Sequence, residues 1–165
     1  MKKVGLVALL VVAGLVSLGA LLMVGAFRGT PEASATIQKV DLVAGRSVPP
    51  HVVGDVDFHT ESGGVHVLFT ADPGEMIDEV HVCISERATC DDSEEPNWTP
   101  PGRCPWKVEP SSPQPSIEVI IPWDDLPVDC NDVAWIQAHA AMEDGQTAYG
   151  GKFKGSFCAT VYCCW

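Results

Sequence analysis

Two histidines stand inside apolar runs of this 165-residue chain, where hydrophobicity alone gives no reason for an imidazole. His81 interrupts Val80-His81-Val82, and His139 interrupts Ala138-His139-Ala140. Neutral imidazole is a zinc or copper ligand, and a carboxylate can complete such a shell. Glu79 lies two positions before His81, so on a strand both side chains leave the same face and can reach a common ion. His81, His139 and Glu79 are therefore the expected transition-metal ligands, with Glu143 as a further carboxylate. The competing expectation is structural, with each ring satisfying buried polar groups by hydrogen bonds. His51, His59 and His66 are expected on the surface, with no spacing among them that suggests a site.

Acidic runs supply a different chemistry. Asp91-Asp92-Ser93-Glu94-Glu95 is one, and Asp124, Asp125, Asp129 and Asp132 surround a second loop. Calcium takes six to eight oxygens, so clustered carboxylates on loops are its raw material, although neither run has the offsets of an EF-hand. Asn97-Trp98-Thr99 is a glycosylation sequon. Trp98, Trp106 and Trp123 flank loops, where aromatic faces can stack on sugars, while Trp135 and Trp165 read as core or interface anchors. No G-x-S-x-G, H-E-x-x-H or phosphate-cradling glycine loop occurs, so a secreted hydrolase is only the second alternative reading.

The cysteines point to a compartment. All seven (Cys83, Cys90, Cys104, Cys130, Cys158, Cys163 and Cys164) lie beyond the first 35 residues, and none forms a C-x-x-C pair. In an exported chain this is a disulfide framework with one sulfur over. The expected local pair is Cys90 with Cys104, stapling the loop Asp91–Arg103. Adjacent Cys163 and Cys164 would point to opposite faces of a strand and serve different partners.

What must position these residues is read from the pattern. Residues 4–27 hold no charge, follow Lys2 and Lys3, and end at Arg28. At ~1.5 Å per residue such a run is long enough to cross a bilayer core of ~30 Å. The triplet Ala33-Ser34-Ala35 offers a cleavage site instead. Residues 1–35 are thus a signal peptide or membrane anchor, and residues 36–165 the exported domain. The whole chain holds 22 acidic and 10 basic residues, a formal charge of −12. Without Lys2, Lys3, Arg28 and Glu32 the domain keeps 7 basic and 21 acidic residues, or −14. That balance excludes a nucleic-acid binder, which needs a basic face, and leaves the leader as the membrane contact.

Period-two alternation runs through the domain. Val56 and Phe58 alternate with Asp57 and His59. Val65, Val67 and Phe69 alternate with His66, Leu68 and Thr70. Val80, Val82 and Ile84 alternate with His81, Cys83 and Ser85, and Ile117, Val119 and Ile121 with Glu118, Ile120 and Pro122. Ser62-Gly63-Gly64 reads as a hairpin, Ala71-Asp72-Pro73-Gly74 and Glu143-Asp144-Gly145 as turns, and Trp135–Met142 and Phe157–Trp165 as further strands. Asp91–Ser112 reads as one long irregular segment. Seven or eight short strands predict an all-β fold, an antiparallel β-sandwich pinned by disulfides.

The order of motifs resembles a group of secreted β-sandwich proteins, mostly bacterial with some from marine organisms, whose function is unassigned. The matching pieces are Gly54-Asp55-Val56-Asp57-Phe58 with Val65-His66-Val67-Leu68-Phe69, then Glu79-Val80-His81, then Pro100-Pro101-Gly102-Arg103-Cys104-Pro105-Trp106-Lys107. Gln137-Ala138-His139-Ala140 and Gln146-Thr147-Ala148-Tyr149-Gly150-Gly151 follow, with Phe153 and Gly155 after them. Gln146 stands where the group has an acid, and Tyr149 where it has Trp. The resemblance covers residues 40–165 and implies a secreted β-sandwich. The expected function is an exported acidic module with a structural or binding role at the cell surface or in the extracellular matrix. Its partner would be an extracellular protein or carbohydrate, and the spare thiol or an open sheet edge would permit self-association. The first alternative is a metal-binding secreted protein, using calcium on the acidic loops or zinc or copper at His81 and His139.

Overall fold

The computed structural model describes residues 37–45, 49–87, 99–151 and 155–162. The expected leader, the acidic run Asp91–Glu95, Asn97, Trp98, Trp165, Cys90, Cys163 and Cys164 lie outside the described residues. Among the described residues, no helix is long and apolar enough to cross a membrane.

Among the described residues nine strands carry the fold: β1 (Gln38–Ala44), β2 (His51–Glu61), β3 (Gly64–Ala71), β4 (Ile77–Arg87), β5 (Trp106–Val108), β6 (Ser116–Pro122), β7 (Val133–Met142), β8 (Thr147–Gly150) and β9 (Phe157–Thr160). The remaining helical structure described is two 3-10 turns, Pro101–Arg103 and Trp123–Asp125. Every pairing among these strands is antiparallel, in the order β5-β4-β7-β8-β1-β2-β3-β6 with β9 added beside β7. β7 is flanked along one edge by β4, while its other edge is shared: β9 pairs with Val133–Ile136 and β8 with His139–Ala141.

The all-β, antiparallel expectation holds. The expected pair of separate sheets is replaced by one continuous sheet, because β8 hydrogen-bonds to both β7 and β1 and carries the ladder across. That sheet curls into a nearly closed barrel. Near its open seam, Ile77 and Gln114 exchange backbone hydrogen bonds of 2.8 and 2.9 Å, tying the start of β4 to the segment that leads into β6. Closure of this kind covers edges that would otherwise template self-association.

The alternation read from sequence decides which face is inside. Val56, Phe58, Val65, Val67, Phe69, Val80, Val82 and Ile136 are all fully or almost fully buried in one core. β4 and β7 depart from simple alternation, since their outer faces are covered too: His81, Cys83, Trp135 and Gln137 are buried. The segment after Thr99 lies over that face, with the Thr99 amide donating to Gln137 Oε1 at 3.3 Å. Part of the stretch expected to be irregular, Asp91–Ser112, is therefore ordered as a 3-10 turn and the short strand β5.

The expected Cys90–Cys104 bond is corrected by the structure: Cys104 is bonded to Cys83, with Cα atoms 4.9 Å apart. Strand register is the reason. Val82 pairs with Trp106, so β5 brings the residues just before Trp106 alongside Cys83 on the outer face of β4. Cys130 and Cys158 are also held in disulfides.

Candidate functional site

β4 and β7 place His81 directly opposite His139, and the rings meet edge to face with centroids 5.4 Å apart. The row continues across the sheet. Lys107 on β5 is the register partner of His81 on its other side, and Tyr149 on β8 is that of His139, with ring centroids 5.2 Å apart. Glu79 reaches His81, its Oε1 lying 2.6 Å from Nε2. So the three residues expected together do meet along one polar row. Glu143 does not join them; it is exposed at the end of β7.

The electrostatics of that row are already balanced. Lys107 Nζ sits 2.5 Å from the same Glu79 oxygen and 3.1 Å from Glu109. The ammonium's hydrogen bond, ahead of the effect of His81, holds the Glu79 carboxyl below its usual range, and Glu79 and Glu109 hold Lys107 above its own. A carboxylate that shares its oxygen with an ammonium makes a poor first ligand for a dication, which would have to displace it. Two ring nitrogens, His81 Nδ1 and His139 Nδ1, are buried without a hydrogen-bond partner. Burial, reinforced by the neighbouring His81 and opposed by Glu79, pushes His139 down to about 4, so the ring is neutral at ordinary pH.

This neutrality has a consequence for stability. An unfolded histidine titrates near 6.5, so between about 6.5 and 4 the unfolded chain binds the extra proton. The contribution of His139 to stability is therefore complete above pH 6.5 and falls as the pH drops towards 4. The loss is about 2 kcal/mol once solvent screening of the half-buried ring is allowed for. Urea unfolding of the wild type and of His139→Gln at pH 7 and pH 4 is the check, and the variant should lose most of that slope.

A second cluster lies where no site was expected. The β2–β3 hairpin sets His59 opposite His66, with rings stacked at 5.1 Å between centroids. His66 Nδ1 lies 2.8 Å from Glu118 Oε1 on β6. Glu61 spans both rings, 3.3 Å from His59 Nε2 and 3.9 Å from His66 Nε2. Among the described residues, the trio of histidine, cysteine and acidic ligand atoms that all fall within 4.8 Å of one another is His59, His66 and Glu118. The signal was present in the sequence. Across the two-residue loop Ser62-Gly63, positions 59 and 66 are equidistant from the turn and must pair.

The other expected residues take quieter places. Among the described residues, Asp124, Asp125, Asp129 and Asp132 contribute to no such trio. Trp106 and Trp123 pack against the core rather than standing out as stacking platforms, and Trp123 Nε1 donates to the Ser62 carbonyl at 3.2 Å. Arg87 lies over the Trp135 ring, 5.9 Å from its centroid. A cleft of about 380 Å³ opens beside the disulfide, lined by Ser85, Arg87, Thr99, Arg103 and Gln137 among others.

No family model, no curated protein and no solved structure matches this chain.

Proposed function

We propose that the chain is an exported, acidic, disulfide-pinned module with a binding or structural role outside the cytoplasm. Residues 1–35 would direct or tether it, and the domain's curled sheet would work as two facing layers, β1-β2-β3-β6 against β5-β4-β7-β9, hinged by β8. The observation that carries the reading is the oxidation of every described cysteine: Cys83 with Cys104, and Cys130 and Cys158 in disulfides as well. Disulfides persist in oxidising compartments and are rare where thiols are kept reduced. The resemblance to secreted β-sandwich proteins supports the same placement.

The binding surface belongs to the disulfide flap. The cleft there has the size of a small-ligand site and presents hydroxyl, amide and guanidinium groups, which suit a carbohydrate or a polar segment of an extracellular protein. Metal binding is the second reading, and the uncompensated His59–His66–Glu118 cluster is what favours it. Placement is tested by expressing the full chain and treating intact cells, or spheroplasts where an outer membrane is present, with protease and a membrane-impermeant thiol reagent. Export predicts a domain reached from outside with its disulfides formed. A domain that is protected until the inner membrane is lysed, with thiols that then alkylate freely, refutes the reading.

A further inference from the structure

We propose that His59, His66 and Glu118 form a binding site for a late first-row divalent cation, zinc being the test ion, on the outer face of β2, β3 and β6. The backbone fixes all three residues. The hairpin register opposes His59 to His66, and the β3–β6 register opposes Leu68 to Glu118 and His66 to Ile120. Glu118 is therefore the diagonal neighbour of His66 on the same face, the arrangement in which a long side chain crosses to its partner. Val65, Val67 and Phe69 fill the inner face between them, so His66 can leave only outward.

The spacing suits a cation. Ligand nitrogens and oxygens bind zinc at about 2.0–2.2 Å, so two ligands on one ion are at most ~4.4 Å apart. The three donor atoms already lie within 4.8 Å of one another, and small side-chain rotations close the difference. Three protein ligands leave a fourth position open, and Glu61 stands where it can fill that position or orient a ring.

Charge separates this cluster from the acidic groups at Asp55, Asp57 and Glu79. Asp55 and Asp57 have Lys39 at 2.9 and 3.9 Å, and Glu79 has Lys107. Among the described residues, no lysine or arginine pairs with Glu61 or Glu118, whose partners are the two imidazoles. Two carboxylates facing two imidazoles offer donor atoms for a dication shell, and imidazole with carboxylate selects zinc or copper over magnesium.

The test uses the full chain, purified without a histidine tag and stripped with a chelator. Titration calorimetry with zinc at pH 7.5 should give one ion per chain, with Kd of about 1 μM or tighter. Affinity should fall on acidification, since metal binding and protonation compete for the same ligand atoms. His59→Gln, His66→Gln and Glu118→Gln should each weaken binding at least about tenfold. His81→Gln, with His139 intact, should leave it unchanged. Ring NMR signals of the unmutated protein give a reading independent of variant folding: His59 and His66 should move with zinc, and His51, His81 and His139 should not. No stoichiometric uptake, uptake that survives the His59→Gln/His66→Gln double change, or shifts confined to His81 and His139 would overturn the assignment.

Discussion

Changing Gly64 to alanine is expected to cost about 4 kcal/mol, while the same change at its neighbour Gly63 costs nothing or stabilises slightly. The contrast is one of position. Gly64 opens β3 with φ of +149°, and a Cβ there would lie 2.1 Å from the Ile121 carbonyl oxygen of β6. That obstacle is backbone, so it cannot swing aside; β6 would have to move, and with it the pairing of Gly64 to Pro122 and Val65 to Ile121. A Cβ at Gly63 meets nothing within 4 Å. At that position alanine acts through the unfolded chain, whose entropy it lowers. Chemical denaturation of both variants measures the difference directly. Equal, small effects would mean that β3 and β6 do not approach as described.

Loss of the Cys83–Cys104 bond is the second large expected effect, at about 3 kcal/mol in the chain-entropy estimate for a closed loop of this size. The bond spans 21 residues of sequence. For the double change to alanine, a fall in melting temperature of roughly 10 °C follows. The damage should be local in character. Without the sulfur bridge the flap is held by β5, three residues long, and by the Thr99 contact to Gln137, so the outer face carrying His81 and Gln137 should gain solvent access first. Hydrogen exchange on β4 and β7 reports this, and unchanged protection there would place the flap's anchoring elsewhere.

Alternation was enough to orient most strands. It put Val67 and Phe69 inside and His66 outside, and Val82 inside and Cys83 outside, because a half-buried strand has one answer to which side chains face the core. Pairings between strands distant in sequence were not legible. Nothing in Gln38–Ala44 says that it bridges β2 and β8, so the continuous sheet was read as two. The disulfide error has the same root, since Cys83 meets Cys104 only once β5 is known to pair with β4, and Trp106–Val108 is too short to show a period.

The candidate sites divide in the same way. Glu79 and His81 were readable as neighbours because they are two apart on one strand, and the structure places them 2.6 Å apart. The role of Lys107 was not readable, since it comes from another strand. The His59–His66 pair could have been found, because a two-residue hairpin fixes its own register. Glu118 could not, because its approach depends on the β3–β6 pairing, which joins strands separated by β4 and β5.

Proteolysis of the native full chain under non-reducing conditions, after blocking free thiols, tests the central claim that this is an oxidised domain whose β4 is fastened to the segment before β5. Mass spectrometry should find the peptide containing Cys83 joined to the one containing Cys104, with neither sulfur alkylated. Cys83 and Cys104 both alkylated in the native protein, or Cys104 joined to Cys90 instead, would contradict it.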